Sequence, residues 1–335
     1  MYGKLNKKIG VGGFEYKKFG SVSDVFLGAA LATNNNNIYF SPHISSQILK
    51  LNPDTDTYSQ FGTVTGNYAG AVAYNGKIYC FPYDNTNVLI INTNTDTLST
   101  TAAFTSRRYY NGVLASDGNI YAMPTLGGDI MKINTSTDVV SFPKNGITDL
   151  SSIGTVLGTD GDIYACPHTS NVIYKYNYTT NALSTISLGA SYTAMTIGGI
   201  IGNDNDIYYA SYNYNQILKL ASGVLSSFGT ISSDVSKYLS CFQKKGEAKI
   251  YFTPFNSESL IEIDTISQDI RNYLSIAGVS KYGGSCMSRK GDIYLIPMNE
   301  TSILKIKGKP LSATDYTINL SGFETSNYNK LFNHL

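Results

Sequence analysis

The sequence predicts an all-β fold, a seven-bladed β-propeller of four-stranded antiparallel blades. Three observations predict it. An Ile-Tyr dipeptide recurs in register at Ile38, Ile78, Ile120, Ile163, Ile207, Ile250 and Ile293, with gaps of 40, 42, 43, 44, 43 and 43 residues. A period of that length is one four-stranded blade. Small residues precede the dipeptide and alternating aliphatic residues follow it, so each copy reads as the same set of strands. The repeat fills residues 20–320, which implies one closed domain rather than two, because all-β assemblies exceed the usual domain size without splitting.

Within a blade, the first strand is the small-residue segment, as in Gly70, Ala71, Val72 and Ala73, or Gly283, Gly284, Ser285 and Cys286. Innermost strands converge on the propeller axis, where bulky side chains collide, so small residues belong there. Tight turns follow at Asn75-Gly76, Asp117-Gly118 and Asp160-Gly161, pairs that tolerate the positive φ of a two-residue hairpin. The second strand carries Ile-Tyr. Pro42, Pro82, Pro124, Pro167, Pro254 and Pro297 come soon after it, with Ser211 in the fifth blade. Proline cannot donate to the ladder and is expected to end the strand. The third strand alternates, as in Ile48, Leu49 and Leu51 or Ile303, Leu304 and Ile306, and buries one face against a neighbouring blade. Asn, Asp and Thr turns such as residues 52–56 then lead to the fourth strand; their side chains suit turn hydrogen bonds, and they lack calcium-loop spacing.

Two segments compete to close the ring. Residues 14–20 match the fourth strand of blade 1, since Phe19 lies nine residues before Gly28 as Phe61 lies nine before Gly70. Residues 314–320 also read as a strand and follow blade 7 directly. The N-terminal segment is favoured, because such a staple removes an exposed sheet edge. The expected organisation is an N-terminal arm (1–13), a propeller (14–320) and a C-terminal tail (321–335), with the termini available to attach the ring to a larger assembly.

Composition narrows function by exclusion. Charged residues are 15% of the chain and the net charge is +1. With no basic run, and Arg107, Arg108, Arg271 and Arg289 as the full set of arginines, nucleic-acid binding is not expected. The longest apolar stretches, residues 25–32 and 194–202, are too short to span a membrane. The basic opening residues are followed by no apolar segment, so no secretory signal is expected. Cys80, Cys166, Cys241 and Cys286 are expected as free buried thiols, with Cys241 and Cys286 the two that could approach each other. The sequons at Asn134, Asn177, Asn299 and Asn319 are expected by chance in a chain so rich in Asn, Ser and Thr.

The blade consensus resembles the seven-bladed propellers of the virginiamycin B lyase and NHL-like group, most closely over residues 249–264. There an Ile-aromatic-Phe-Thr strand, a short polar loop and an Ile-x-x-Ile-Asp strand follow one another. In that group the lyase activity implies a magnesium site built from glutamates and a catalytic histidine late in the propeller. Here the region offers Glu258, Glu262 and Glu300, while the histidines are His43, His168 and His334. That motif is not matched, so no catalytic residue and no cofactor are carried over. His43 and His168 lie on equivalent loops nearly halfway round the ring, too far apart to share a metal.

A propeller ligand is expected on the loops after strand two and between blades, by analogy of fold. The first set holds His43, Tyr83, Asp84, His168, Tyr212, Tyr214, Phe255 and Met298; the second holds Tyr68, Arg107, Arg108, Tyr109, Tyr110, Tyr192, Tyr238 and Tyr282. Tyrosine joins a large apolar face to a hydroxyl at low entropic cost, which suits recognition of a protein or a glycan. The binding candidates are Tyr68, Tyr83, Arg107, Arg108, Tyr109, Tyr110, His168, Tyr212 and Tyr282. No serine, cysteine or threonine has an identifiable base beside it. The sequence therefore reads as a non-enzymatic binding or structural module, with a virion or cell-surface setting favoured. A metal-assisted lyase or hydrolase and an intracellular interaction scaffold are the alternatives. Deleting residues 1–20 tests the staple: the melting temperature should fall, and an unchanged value would refute it.

Overall fold

The computed structural model describes residues 8–9, 15–105, 108–192, 195–243 and 247–307. Arg107, His334, the rival strand at 314–320 and the C-terminal tail lie outside them. All regular structure among the described residues is β.

Blade 1 shows the pattern. Val25–Leu31 lies innermost, followed outward by Ile38–Ile44, Ile48–Asn52 and Thr57–Phe61 in simple meander order. Blades 2, 5 and 6 repeat it from the inner strands Tyr68–Tyr74, Thr196–Ile201 and Tyr238–Gln243. In blade 7, Tyr282–Met287, Ile293–Pro297 and Ile303–Ile306 are completed by Glu15–Phe19, which pairs antiparallel with Phe19 opposite Ile303 and Tyr16 opposite Ile306. Lys8–Ile9 adds a short further strand to that edge. Blades 3 and 4 are fused. The 19-residue strand Val139–Leu157 is the outer strand of blade 3 in its first part and the inner strand of blade 4 in its last. With that strand serving twice, the sheets supply seven four-stranded blades.

Proline behaves as expected in blades 2, 4, 6 and 7, where the second strand ends at Pro82, Pro167, Pro254 and Pro297. Pro42 instead sits inside a strand that runs on to Ile44. Its partner is Phe26, flanked on both sides by register shifts, so the missing N–H falls where the ladder is already interrupted.

The core lies between blades. One cluster joins Phe26, Leu49 and Leu51 of blade 1 to Tyr294, Ile296 and Ile303 of blade 7. Another joins Val72 and Ile90 of blade 2 to Ile120, Met131 and Ile133 of blade 3. Each fully buried Ile or Leu contributes roughly 1.5–3 kcal/mol, against about 1 kcal/mol for a typical hydrogen bond, so these layers dominate stability.

The repeated tyrosines have a polar task at the opposite end of each blade. Each buried hydroxyl donates to a carboxylate at 2.6–3.0 Å. A lysine pairs with the same carboxylate, and in five blades its ammonium also lies 5.2–5.6 Å from the tyrosine ring centre. The source of the carboxylate divides the ring. Tyr294, Tyr39 and Tyr79 reach Asp56, Asp96 and Asp138 on the next blade, each in a turn where the aspartate takes positive φ. Blade 4 has Asn181 at that turn position, and Tyr121 uses Asp117 of its own blade instead. Tyr164, Tyr208 and Tyr251 likewise bond to Asp160, Asp204 and Glu262 of their own blades.

Asp56 is the closing residue. It accepts from Tyr294 at 2.7 Å, from Lys305 at 3.0 Å and from Lys17, so one carboxylate ties the N-terminal strand, blade 7 and blade 1 together. Burial alone would raise its pKa, but bonds from Lys17, Tyr294 and Lys305 outweigh that and hold it below the ordinary 3.8. Its stabilisation is thus complete above that value and is lost as pH falls through the lower folded pKa. Asp56→Asn keeps the positive-φ turn and should cost about 1–3 kcal/mol at pH 7. Chemical denaturation at several pH values should show that deficit shrinking below pH 3.8.

Candidate functional site

At the end of the blades away from these tyrosines, the second-strand loops and the inter-blade connections surround the mouth of the central channel. In blades 3 to 6 the residue after the blade proline, or after Ser211 in blade 5, is held by its backbone on both sides. Phe255 N–H donates to Lys237 of its own blade at 2.7 Å, and its carbonyl accepts from Lys281 of the next at 3.1 Å. Tyr212 repeats this with Met195 at 2.8 Å and Lys237 at 2.9 Å, and His168 with Ser151 at 3.1 Å and Met195 at 2.9 Å. The proline, or Ser211, stops the ladder and the next residue is turned toward the axis on a double-anchored backbone.

Leu27, Ala69, Ile197 and Leu239, all from inner strands, form a buried floor. Half-buried Tyr83, Tyr110, Ile153, Tyr212, Phe255 and Met298 pack on it as a rim. Arg108 sits over Tyr83, its guanidinium 5.2 Å from the ring centre. His43 meets the same ring edge-on at 4.8 Å, and His168 lies 5.8 Å from Tyr212. Burial pushes the Tyr110 hydroxyl far above its ordinary pKa, with Tyr83 and Tyr212 adding to the effect. Burial also lowers both histidines, only partly offset by backbone bonds, so both are neutral near pH 7. His168 Nδ1 lies 3.1 Å from the Thr196 carbonyl, which assigns the proton to that nitrogen and leaves Nε2 as the acceptor.

Lys237 and Lys281 are fully buried on the connections beside this mouth. Their ammoniums donate to backbone carbonyls, Lys237 to Asp234 at 2.6 Å and Lys281 to Gly278 at 2.5 Å. Burial lowers both pKa values, and neither ammonium forms an ion pair among the described residues. The mouth is therefore aromatic and weakly charged.

Of the residues expected from sequence, Tyr83, Arg108, Tyr110, His168 and Tyr212 come together here. Tyr68, Tyr109 and Tyr282 do not. Each stands at or just before an inner strand, with its ring turned outward into the layer between blades, and all are essentially buried. Tyr68 donates to Asn87 Oδ1 and Tyr109 to the Asp129 carbonyl, both at 2.8 Å, so their hydroxyls serve the scaffold. Tyr238 is buried in the same way. Arg107 and the Tyr192 side chain lie outside the described set. Sequence reading missed the floor, whose signal was an aliphatic or alanine residue just before the glycine of three inner strands, as Leu27 precedes Gly28, Ala69 precedes Gly70 and Ile197 precedes Gly198.

The three glutamates of the lyase comparison are scattered. Glu262 serves Lys249 and Tyr251 at the far end, Glu300 pairs with Lys18, and Glu258 lines a cleft between blades 5 and 6. No group of three or more potential metal ligands occurs among the described residues. The four cysteines are buried thiols, none in a disulfide. Cys241 and Cys286 belong to different core clusters, so that pair does not form.

Comparison with solved structures places this geometry. A streptogramin B lyase superposes with a TM-score of 0.76 at 16% identity, over 88% of this chain and 98% of that one. A virginiamycin B lyase from Staphylococcus aureus gives 0.76 at 13% identity, over 88% and 99%. The chain shares their fold. The resemblance read from the repeats is a resemblance of architecture, and at these identities it reaches no further. A chain of a mitotic checkpoint complex has a TM-score of 0.66 at 12% identity, over 87% and 91%. No protein-family model matches the sequence, and no curated protein matches it.

The neutral histidines make the mouth sensitive to acid. As pH falls below the ordinary histidine value of 6.5, the unfolded chain takes up protons that the folded chain resists, so stability declines. A His43→Asn, His168→Asn double variant should lose less stability than the parent between pH 7 and 5, as read by thermal melts.

Proposed function

We propose that this propeller is a non-enzymatic recognition and assembly module that docks a protein partner on its channel mouth, as a component of a virion (phage head or tail) or cell-surface assembly. The observation that carries this is the convergence of Tyr83, Arg108, Tyr110, Tyr212, Phe255 and Met298 around one apolar floor. Aromatic residues, Met and Arg are the types enriched where proteins bind one another. Loops on the same face add Ile44, Leu126, Val235 and Val279, each more than 60% exposed. Such apolar residues around an aromatic centre favour a protein over a glycan as the occupant of this face.

The fold is compatible with this use, since one structural neighbour belongs to the mitotic checkpoint complex. The non-enzymatic reading is supported by the absence, among the described mouth residues, of a nucleophile beside a base. The virion or surface setting is supported by the low-charge polar composition.

The test has two parts. Mass spectrometry of isolated particles or envelopes should find the protein in stoichiometric copies; a purely free pool would refute the assembly setting. Affinity capture from those particles should identify a partner whose binding falls at least tenfold on substituting Tyr83, Arg108 and Tyr212 with Ala together, because anchor residues of this type cost about 2 kcal/mol or more each. Unchanged binding would refute the mouth as the docking face.

A further inference from the structure

A second site lies away from the mouth. We infer that the cleft between blades 5 and 6 binds a neutral oligosaccharide. The cleft measures about 600 Å³, within the range of roughly 300–1,000 Å³ typical of small-molecule sites. Its walls come from the connection between blades 5 and 6 and from the outer half of blade 6.

The chemistry of the lining selects the ligand. Thr230, Ser232, Ser259 and Asn272 line the space with Asp234 and Glu258, and the Ser232 hydroxyl donates to the Asp234 carboxylate. No lysine or arginine lines it. Two carboxylates line the cleft while the cations coupled to them, Lys237 and Lys281, are buried behind the lining, so the surface presented disfavours phosphates, sulfates and acids and calls for hydroxyl donors. Ile231, Ile261 and Ile270 supply apolar surface that fits the C–H faces of a sugar ring. At the base, the Tyr238 hydroxyl meets Ser257 Oγ at 3.0 Å, and both residues are buried.

Comparison between repeats separates this lining from the scaffold. Residues 235–238 and 279–282 are the same tetrapeptide, Val-Ser-Lys-Tyr. In both, the serine takes positive φ, and the buried lysine donates to the carbonyl three residues before it. The accepting carbonyl belongs to Asp234 in one connection and to Gly278 in the other, so the fold does not require a carboxylate at this position. Glu258 is parallel: its backbone carbonyl accepts from Ile276 at 2.7 Å, as Asn215 does from Ile231 at 2.9 Å and Thr301 from Val22 at 2.7 Å. With Ser46 accepting from Val64 at 2.8 Å and Thr86 from Phe104 at 2.7 Å, the backbone bond recurs in five blades and the carboxylate in one. A second cleft, about 320 Å³ between blades 2 and 3, differs because its Asp138 is held in an inter-blade clamp by Tyr79 and Lys77, whereas Asp234 accepts from Ser232 of its own loop.

Isothermal titration and saturation-transfer NMR with maltotriose, chitotriose and lactose, with spermidine as a cationic control, would test the site. At least one neutral saccharide should bind saturably. The exposed substitutions Asp234→Ala and Glu258→Ala should weaken it at least tenfold without lowering the melting temperature, while Tyr212→Ala at the mouth leaves it unchanged. Failure of the whole sugar panel, binding that survives both cleft substitutions, or saturable binding of spermidine alone would overturn the inference. None of these outcomes bears on partner docking at the mouth, which the capture experiment reads separately.

Discussion

Everything else in this protein follows from how closely seven inner strands approach one axis. A methyl group on Gly28 would stand 2.6 Å from the Cα of Gly70, and one on Gly70 would stand 2.5 Å from the Tyr110 carbonyl. One on Gly283 would meet the Phe26 carbonyl at 2.5 Å. Backbone thus packs on backbone around the ring. Gly28, Gly70, Gly154 and Gly198 also take positive φ at register shifts in their strands, a conformation that a β-carbon would strain. Where the inner position is not glycine, a polar group bridges the gap. Asn111 Oδ1 accepts from the Thr155 N–H at 2.6 Å, and Ser240 Oγ lies 3.3 Å from Ser285 Oγ. The bulges rotate the preceding residue toward the axis, which is how Leu27 and Ile197 come to form the floor of the mouth.

Apolar layers and polar clamps divide the work outside that axis. The layers between blades supply most of the free energy but little direction, because aliphatic contact tolerates small slips. The tyrosine, carboxylate and lysine sets add direction. Three of them cross from one blade to the next, and they cluster at the seam where the strand Glu15–Phe19 completes blade 7 and at the two junctions after it. Blades 3 to 6 use clamps that stay within a blade. Their neighbours are held by the shared strand, by Asn111 with Thr155, by the backbone bonds at the mouth and by the apolar layers. At the seam of blade 7 the Lys307 N–H also donates to the Glu15 carbonyl at 2.8 Å.

The fold was legible because the blade repeats, and a repeat averages out local ambiguity. Ile-Tyr marked each second strand, and the match of Phe19 with Phe61 pointed to an outer strand supplied by the N-terminal segment. Partner identity across the ring was not legible. Nothing local to Tyr294 reveals that its carboxylate lies at Asp56, and Asp117 and Asp96 look alike in sequence although one clamps within a blade and the other between blades. Tyrosines were legible by position and not by direction. Tyr109 and Tyr110 are adjacent, yet strand alternation sends one into the layer between blades and the other to the mouth. The fusion of blades 3 and 4 was hidden because residues 143–150 carry Pro143 and Gly146, which read as a turn, while the structure runs them as one irregular strand with several register shifts.

That fused strand has a consequence for how such rings grow and shrink. Propellers change their blade number by duplication or loss of single repeats, and a clean exchange needs a breakpoint in a loop that neither neighbour uses for pairing. Most junctions of this ring offer one. Between blades 3 and 4 there is none, since residues 139–157 pair with both. Counted in heritable units, the molecule is five single blades and one inseparable pair.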